Sequence, residues 1–205
     1  MNGPTETQDR ERWQAQPGDV LLVTDIQNDF LRGGSLAVAG GDEVVSVLNR
    51  YVDEFVAKGL PVYATRDWHP AGHCSFHPQG GPWPVHCVAG TPGAEFAASL
   101  RLPPDTTVIS KATLLDQEAY SSFQGTDLDR RLRAAGIHRI FIGGLTTDYC
   151  VLSTVRDARQ LGYEAFVLVD AIRAVNVQPG DGRRAEEEIA RVGARRIALD
   201  GLVAE

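Results

Sequence analysis

The run Ile140-Phe-Ile-Gly-Gly-Leu-Thr-Thr-Asp-Tyr-Cys-Val-Leu-Ser-Thr-Val-Arg-Asp157 decides the fold. It opens as a short apolar strand, breaks at Gly143-Gly144 and turns through Leu145-Thr146-Thr147-Asp148. It then re-enters order as a helix with apolar positions at Val151, Leu152 and Val155. Cys150 therefore falls in the first turn of a helix that follows a buried strand. Unpaired N–H groups there favour a thiolate over a thiol. Neighbouring backbone N–H groups at such an elbow can also hold an oxyanion. A free cysteine taken alone reads as a small apolar filler. Here the balance shifts because other polar residues recur at equivalent places along the chain.

Outward from this unit, strand and helix alternate. Asp19 to Thr24 is an almost continuous apolar run, the pattern of a strand buried on both faces. Asp42 reads as the N-cap of a helix with apolar positions from Val44 to Val56, ended by Gly59. Further strands are expected at Pro61–Thr65, Thr107–Ser110, Arg139–Ile142, Glu164–Val169 and Arg196–Leu199. Helices are expected at Glu95–Leu100, from a capping box at Thr126-Asp127-Leu128-Asp129 to Gly136, and over Asp181–Val192. This alternation predicts an α/β protein with a six-stranded, mainly parallel sheet and right-handed crossovers.

A parallel sheet brings the carboxyl ends of its strands to one edge, where open α/β folds bind ligands. Asp25, Asp67, Lys111 and Cys150 follow the first four strands. Singly, each reads as a cap or a surface charge; together they supply a thiol, a carboxylate base and a cation that holds the base. The Pro/Gly/His-rich segment from Arg66 to Gly93 is too long for an idle loop. It carries Asp67-Trp68-His69, His73, His77 and His86, and imidazoles with a carboxylate suit zinc, iron or manganese. The bland alternative is a solvated His-rich loop. His77 is expected to lack a role, and Cys74 and Cys87 to be apolar fillers.

At 205 residues, with 43% hydrophobic and 23% charged content, the chain is ordinary for a soluble domain. Residues 1–16 read as a flexible tail and 17–205 as a single domain. A net charge of −7 without a basic run argues against nucleic acid. No apolar stretch approaches a membrane span of about 20 residues. An odd count of three cysteines points to reduced thiols and a cytoplasmic location.

Several runs carry a resemblance. They are Asp25-Ile-Gln-Asn-Asp-Phe30, Arg66-Asp-Trp-His-Pro-Ala-Gly-His73, Trp83-Pro-Val-His-Cys-Val-Ala-Gly-Thr-Pro-Gly93, Ser110-Lys111, Tyr120-Ser-Ser-Phe123 and Gly144-Leu-Thr-Thr-Asp-Tyr-Cys-Val151. With these the chain resembles a nicotinamidase/pyrazinamidase of the isochorismatase-like cysteine hydrolases, over roughly Asp19 to Leu199. The resemblance implies a Rossmann-like three-layer α/β/α fold. It makes Asp25, Lys111 and Cys150 a catalytic triad. Asp67, His69 and His86 become ligands of one divalent metal (zinc, or else iron or manganese), with His73 as a further ligand. Phe30, Trp83, Tyr120 and Tyr149 become the ring pocket, with a pyridine ring between Trp83 and Phe30. A cis peptide would join Leu145 to Thr146, turning the Thr146 and Cys150 N–H groups toward the oxyanion. Where Thr146 stands the family usually has Ala, so either a narrower pocket or an altered substrate preference is expected here.

The implied reaction converts nicotinamide, and pyrazinamide, to the acid and ammonia through a thioester that metal-associated water hydrolyses. The implied partner is a small aromatic amide, with neither nucleic acid nor membrane, and the chain is expected to form a homo-oligomer. Two other readings compete: a metal-free cysteine hydrolase of carbamoyl or ureido substrates, and a non-catalytic interaction protein of the same fold.

Overall fold

The computed structural model describes residues 12–203. Six strands form one sheet in the order β3-β2-β1-β4-β5-β6. They are β1 (Asp19–Thr24), β2 (Val62–Asp67), β3 (Thr107–Lys111), β4 (Arg139–Leu145), β5 (Glu164–Arg173) and β6 (Arg195–Ile197). Every pairing is parallel. Side chains alternate across each strand, so β1 sends Leu21 and Val23 to one core and Val20 and Leu22 to the other. The first core is covered by α1 (Gly41–Ala57) through Val44, Leu48, Tyr51, Val52 and Phe55. The second is covered by α2 (Leu128–Ala134), α3 (Leu152–Gln160) and α4 (Asp181–Arg191) through Leu128, Leu132, Val155, Ala185 and Ile189. Helices thus flank the sheet on both faces, as expected of an α/β fold. Among the described residues no helix is long and apolar enough to cross a membrane.

Several local expectations are corrected. Of the expected tail, residues 1–11 lie outside the described residues, and within 12–16 Trp13 and Ala15 are buried. Trp13 is 4% exposed, stacks on Tyr51 at 5.6 Å and donates its indole N–H to Ala198 at 2.8 Å. Gly143-Gly144 does not break β4, which runs on to Leu145. The two glycines are there because β1 and the first core crowd them: a Cβ on Gly144 would stand 2.0 Å from the Thr24 carbonyl oxygen. Glu95–Leu100 is not a helix. Its backbone is strapped to the loop after β1, Asn28 donating to Glu95 and Ala97 to Ile26, and six residues cannot nucleate a helix against such bonds. The N-cap of α1 is Gly40 rather than Asp42, whose carboxylate accepts the Arg32 N–H instead. The capping box at Thr126 does not close, because Asp129 pairs with Arg133 and Tyr163. β5 continues past Val169 to Arg173.

Candidate active site

Parallel pairing sets the carboxyl ends of β2, β1 and β4 side by side, and Asp67 and Lys111 are register partners at the ends of β2 and β3. Lys111 is 1% exposed, with its ammonium 3.0 Å from Asp25, 2.5 Å from Asp67 and 3.4 Å from the Cys150 sulfur. The reactive atoms of Asp25, Asp67 and Cys150 lie within 4.8 Å of one another. Cys150 sits in a π-helical turn, Thr147–Val151, that leads into α3, and the Leu145–Thr146 peptide is cis.

Burial decides the titration of Asp25 and Cys150, and neighbouring charge that of Lys111. Burial raises Asp25 to about 6, against the pull of Lys111 and with a further push from Asp67. Lys111 is raised well above its ordinary value: burial opposes its charge, but Asp25 and Asp67 outweigh that. Burial likewise pushes the Cys150 thiol well up, and Lys111 only partly offsets it. The sequence expectation that a helix start would favour the thiolate is therefore corrected. The resting sulfur is a thiol, because it is fully buried beside two carboxylates, and it needs a base.

Next to Asp67, the ligand atoms of Asp67, His69 and His86 also fall within 4.8 Å of one another. His69 Nε2 is buried without a hydrogen-bond partner and stands 3.9 Å from Asp67. The other nitrogen of each imidazole is turned to a backbone carbonyl, His69 Nδ1 toward Ala112 at 3.3 Å and His86 Nδ1 toward Pro84 at 2.8 Å. Burial lowers His69 to about 4, which leaves a neutral ring with a lone pair. Burial would raise Asp67, but Lys111 and then the two histidines outweigh it, so the carboxylate stays charged. An anionic oxygen, neutral imidazoles and an orphaned ring nitrogen are a donor set that fits a divalent metal. His73 is not part of this trio. Its Nδ1 faces Ser75 at 2.8 Å and its Nε2 faces Gln117 at 3.0 Å, while its ring lies tilted against His69 with centroids 4.3 Å apart, and its ligand atom clusters with those of His69 and Glu118.

A narrow cleft, open at its mouth, lies over both clusters. Its walls include Phe30, Trp83, Tyr120, Tyr149, Thr146 and Cys150, so all four expected pocket aromatics are brought together. Trp83 donates its indole N–H to the Tyr120 hydroxyl at 3.0 Å and meets Tyr149 edge-on at 4.8 Å. His77 stays outside, facing Gly81. Cys74, Cys87 and Cys150 are free thiols.

With this geometry in place, comparison with known proteins is decisive. The model of the isochorismatase domain matches residues 19–192. The nicotinamidase of Escherichia coli is 40% identical over 204 residues, covering 89% of this chain and 96% of that protein. The chain belongs to the isochorismatase family. Within it, the similarity is to the nicotinamidase/pyrazinamidase branch. A pyrazinamidase of Pyrococcus horikoshii solved in complex with zinc superposes with a TM-score of 0.86 at 46% identity, covering 89% of this chain and 100% of that one. PnC1 from L. infantum, solved in complex with nicotinate, superposes with a TM-score of 0.86 at 34% identity, covering 95% and 100%.

This isochorismatase-family site also uses residues that strand-end position alone did not reveal. The buried Gln27 amide bridges Asp67 through both its N–H and its carbonyl, at 2.8 and 2.7 Å. Thr65 donates to Asp25 at 2.6 Å. Asp29 accepts the Cys87 N–H at 2.7 Å and so ties the loop after β1 to the histidine loop. Asp148 accepts the Val175 and Asn176 N–H groups and anchors the elbow to the segment after β5. Gln27 and Asp29 lie inside the Asp25–Phe30 run and Asp148 inside the Gly144–Val151 run, so their proximity in sequence was the available signal. Thr65 gave none.

Proposed function

We propose that this chain hydrolyses nicotinamide to nicotinate and ammonia, with pyrazinamide as a second substrate. The observation that carries the reading is one buried cluster, Asp25–Lys111–Cys150, that opens into an aromatic cleft beside Asp67, His69 and His86. The sequence similarity to nicotinamidases across nearly the whole chain supports it.

Phe30, Trp83, Tyr120 and Tyr149 hold the flat ring by face and edge contacts. Asp25 takes the Cys150 proton while Lys111 steadies the carboxylate by its charge. The sulfur adds to the carboxamide carbon, and the carbonyl electrons move onto oxygen, where the Thr146 and Cys150 N–H groups receive them. Asp25 returns the proton to the nitrogen, the C–N bond breaks and ammonia leaves a thioester. Asp25 then takes a proton from water as its oxygen adds to the thioester. The C–S bond breaks, the proton returns to sulfur and the acid is released.

Asp67, His69 and His86 would hold the divalent cation, with zinc the identity that donor set favours. When bound, such a cation supplies Lewis acidity, which makes coordinated water a stronger acid and accepts a ring-nitrogen lone pair. His73 acts in this reading by supporting the His69 ring. The negative net charge supports a small-molecule partner rather than nucleic acid, and the free cysteines support a cytoplasmic setting. We expect a homo-oligomer by light scattering.

The test is ammonia release by purified Cys150→Ala protein with metal quantified alongside. Turnover should fall on the order of a thousandfold or more with metal content unchanged. Near-normal turnover would exclude the thiol mechanism. Metal-free protein hydrolysing ureido compounds in place of nicotinamide would move the chain to a different hydrolase class.

A further inference from the structure

We propose that the Thr146 hydroxyl is a third hydrogen-bond donor to the carbonyl oxygen of the scissile amide, alongside the two backbone N–H groups. The proposal rests on the amidase reading above. Thr146 is the N-cap of the turn that carries Cys150, with φ −101° and ψ 148°. A threonine there normally bonds its hydroxyl to the N–H two or three residues on. This one makes no side-chain cap bond. The turn is closed instead through its backbone, the Thr146 carbonyl accepting the N–H groups of Tyr149 at 3.2 Å and Val151 at 3.0 Å.

The hydroxyl is consequently free of the turn. Thr146 is only 5% exposed and lines the cleft with Cys150. Unlike the Thr24 and Thr106 hydroxyls, which are buried without a partner, this one keeps contact with the cleft. Several other polar groups of the cleft are already engaged, Trp83 with Tyr120, Asp67 with Lys111, and the Glu118 carboxylate with the Ala119 N–H, while the unpartnered His69 Nε2 belongs to the candidate metal trio. A hydroxyl that keeps contact with the cleft can exchange its water for an oxygen of a bound ligand. An oxyanion has three lone pairs, of which the two backbone N–H groups use two, and the hydroxyl belongs to the same residue as one of those donors.

Three variants separate the hydroxyl from the shape of the residue. Thr146→Val keeps the branch and removes the hydroxyl, Thr146→Ala removes both, and Thr146→Ser keeps the hydroxyl. Each is assayed for kcat and KM with nicotinamide, for metal content, and for binding of nicotinate and of pyridine-3-carboxaldehyde. The aldehyde carbon takes the sulfur of Cys150, its carbonyl electrons move to oxygen and the thiol proton passes to Asp25. The product has an oxyanion but no amide nitrogen. We expect Val and Ala to lower kcat about tenfold with little change in KM, and to weaken the aldehyde by about the same factor. Ser should stay within about twofold of the parent, and nicotinate binding and metal content should not change.

The proposal is overturned if Val is as fast as the parent, or if Ser is as slow as Val. It is also overturned if Val and Ala slow the amide but bind the aldehyde normally, since the hydroxyl would then serve the nitrogen. Loss of nicotinate binding or of metal in both Val and Ala would make the role structural. A parent protein that releases no ammonia from nicotinamide would remove the amidase reading itself, and this proposal with it.

Discussion

At Asp25 burial and ion pairing pull in opposite directions. The carboxylate touches no solvent, yet Lys111 and the Thr65 hydroxyl hold it within hydrogen-bonding distance. Burial wins, and the group titrates near 6 rather than at its ordinary 3.8. Only the ionised form can take the Cys150 proton, so kcat/KM of metal-saturated protein should fall about tenfold per pH unit below about 6. Asp25→Asn should remove that limb together with nearly all activity. An ammonia-release profile flat from pH 5 to 7 would exclude Asp25 as the base. Linkage has the opposite sense. A raised folded pKa means the native state binds this proton more tightly, so Asp25 favours folding below pH 3.8 and that contribution is lost as pH rises through about 6.

Among the elements, β4 and the turn after it set the position of the sulfur. Gly143 and Gly144 are legible as a strand break in a sequence, because glycine weakens strands. In the fold Gly143 faces Leu48 and Leu168 in the core, and Gly144 is pressed against the β1 backbone. Gly144 has φ +128°, and a side chain there would collide with the Thr24 backbone, one residue before Asp25. Gly144→Ala should therefore destabilise the protein by roughly 2–4 kcal/mol in urea denaturation. Activity should fall further than stability accounts for, since β1 and β4 carry the acid and the thiol. An alanine variant as stable as the parent would mean that the two strands have room to separate. The expected helix at Glu95–Leu100 failed for a complementary reason: its backbone groups were already needed by the loop after β1, and no local pattern records that need.

On the scale of the whole molecule, two cores clamp the sheet and the ends of the chain close one of them. Trp13 stacks on Tyr51 and packs against Phe141 at 5.4 Å, and its backbone bridges to Leu202. It reads as part of a polar tail only because its partners lie far away in sequence. Trp13→Ala should cost about 3–5 kcal/mol of stability. The nicotinamide KM should hardly change at temperatures where the variant stays folded, because the indole does not line the cleft. Melting within a degree of the parent would show that the segment contributes nothing to the core.

The alternation of apolar runs with amphipathic helices determined the α/β fold, and it determined that Asp25, Asp67, Lys111 and Cys150 share one edge. Parallel strands with crossovers leave their carboxyl ends nowhere else to go. The tertiary structure decided what periodicity does not encode. It made the sulfur a thiol rather than a thiolate, because desolvation depends on everything packed around it. It placed His73 beside His69 but bonded to Ser75 and Gln117, outside the trio of Asp67, His69 and His86. It also left the Thr146 hydroxyl without a cap to make. Each of these depends on distances between segments remote in the chain, and such distances exist only once the sheet has closed.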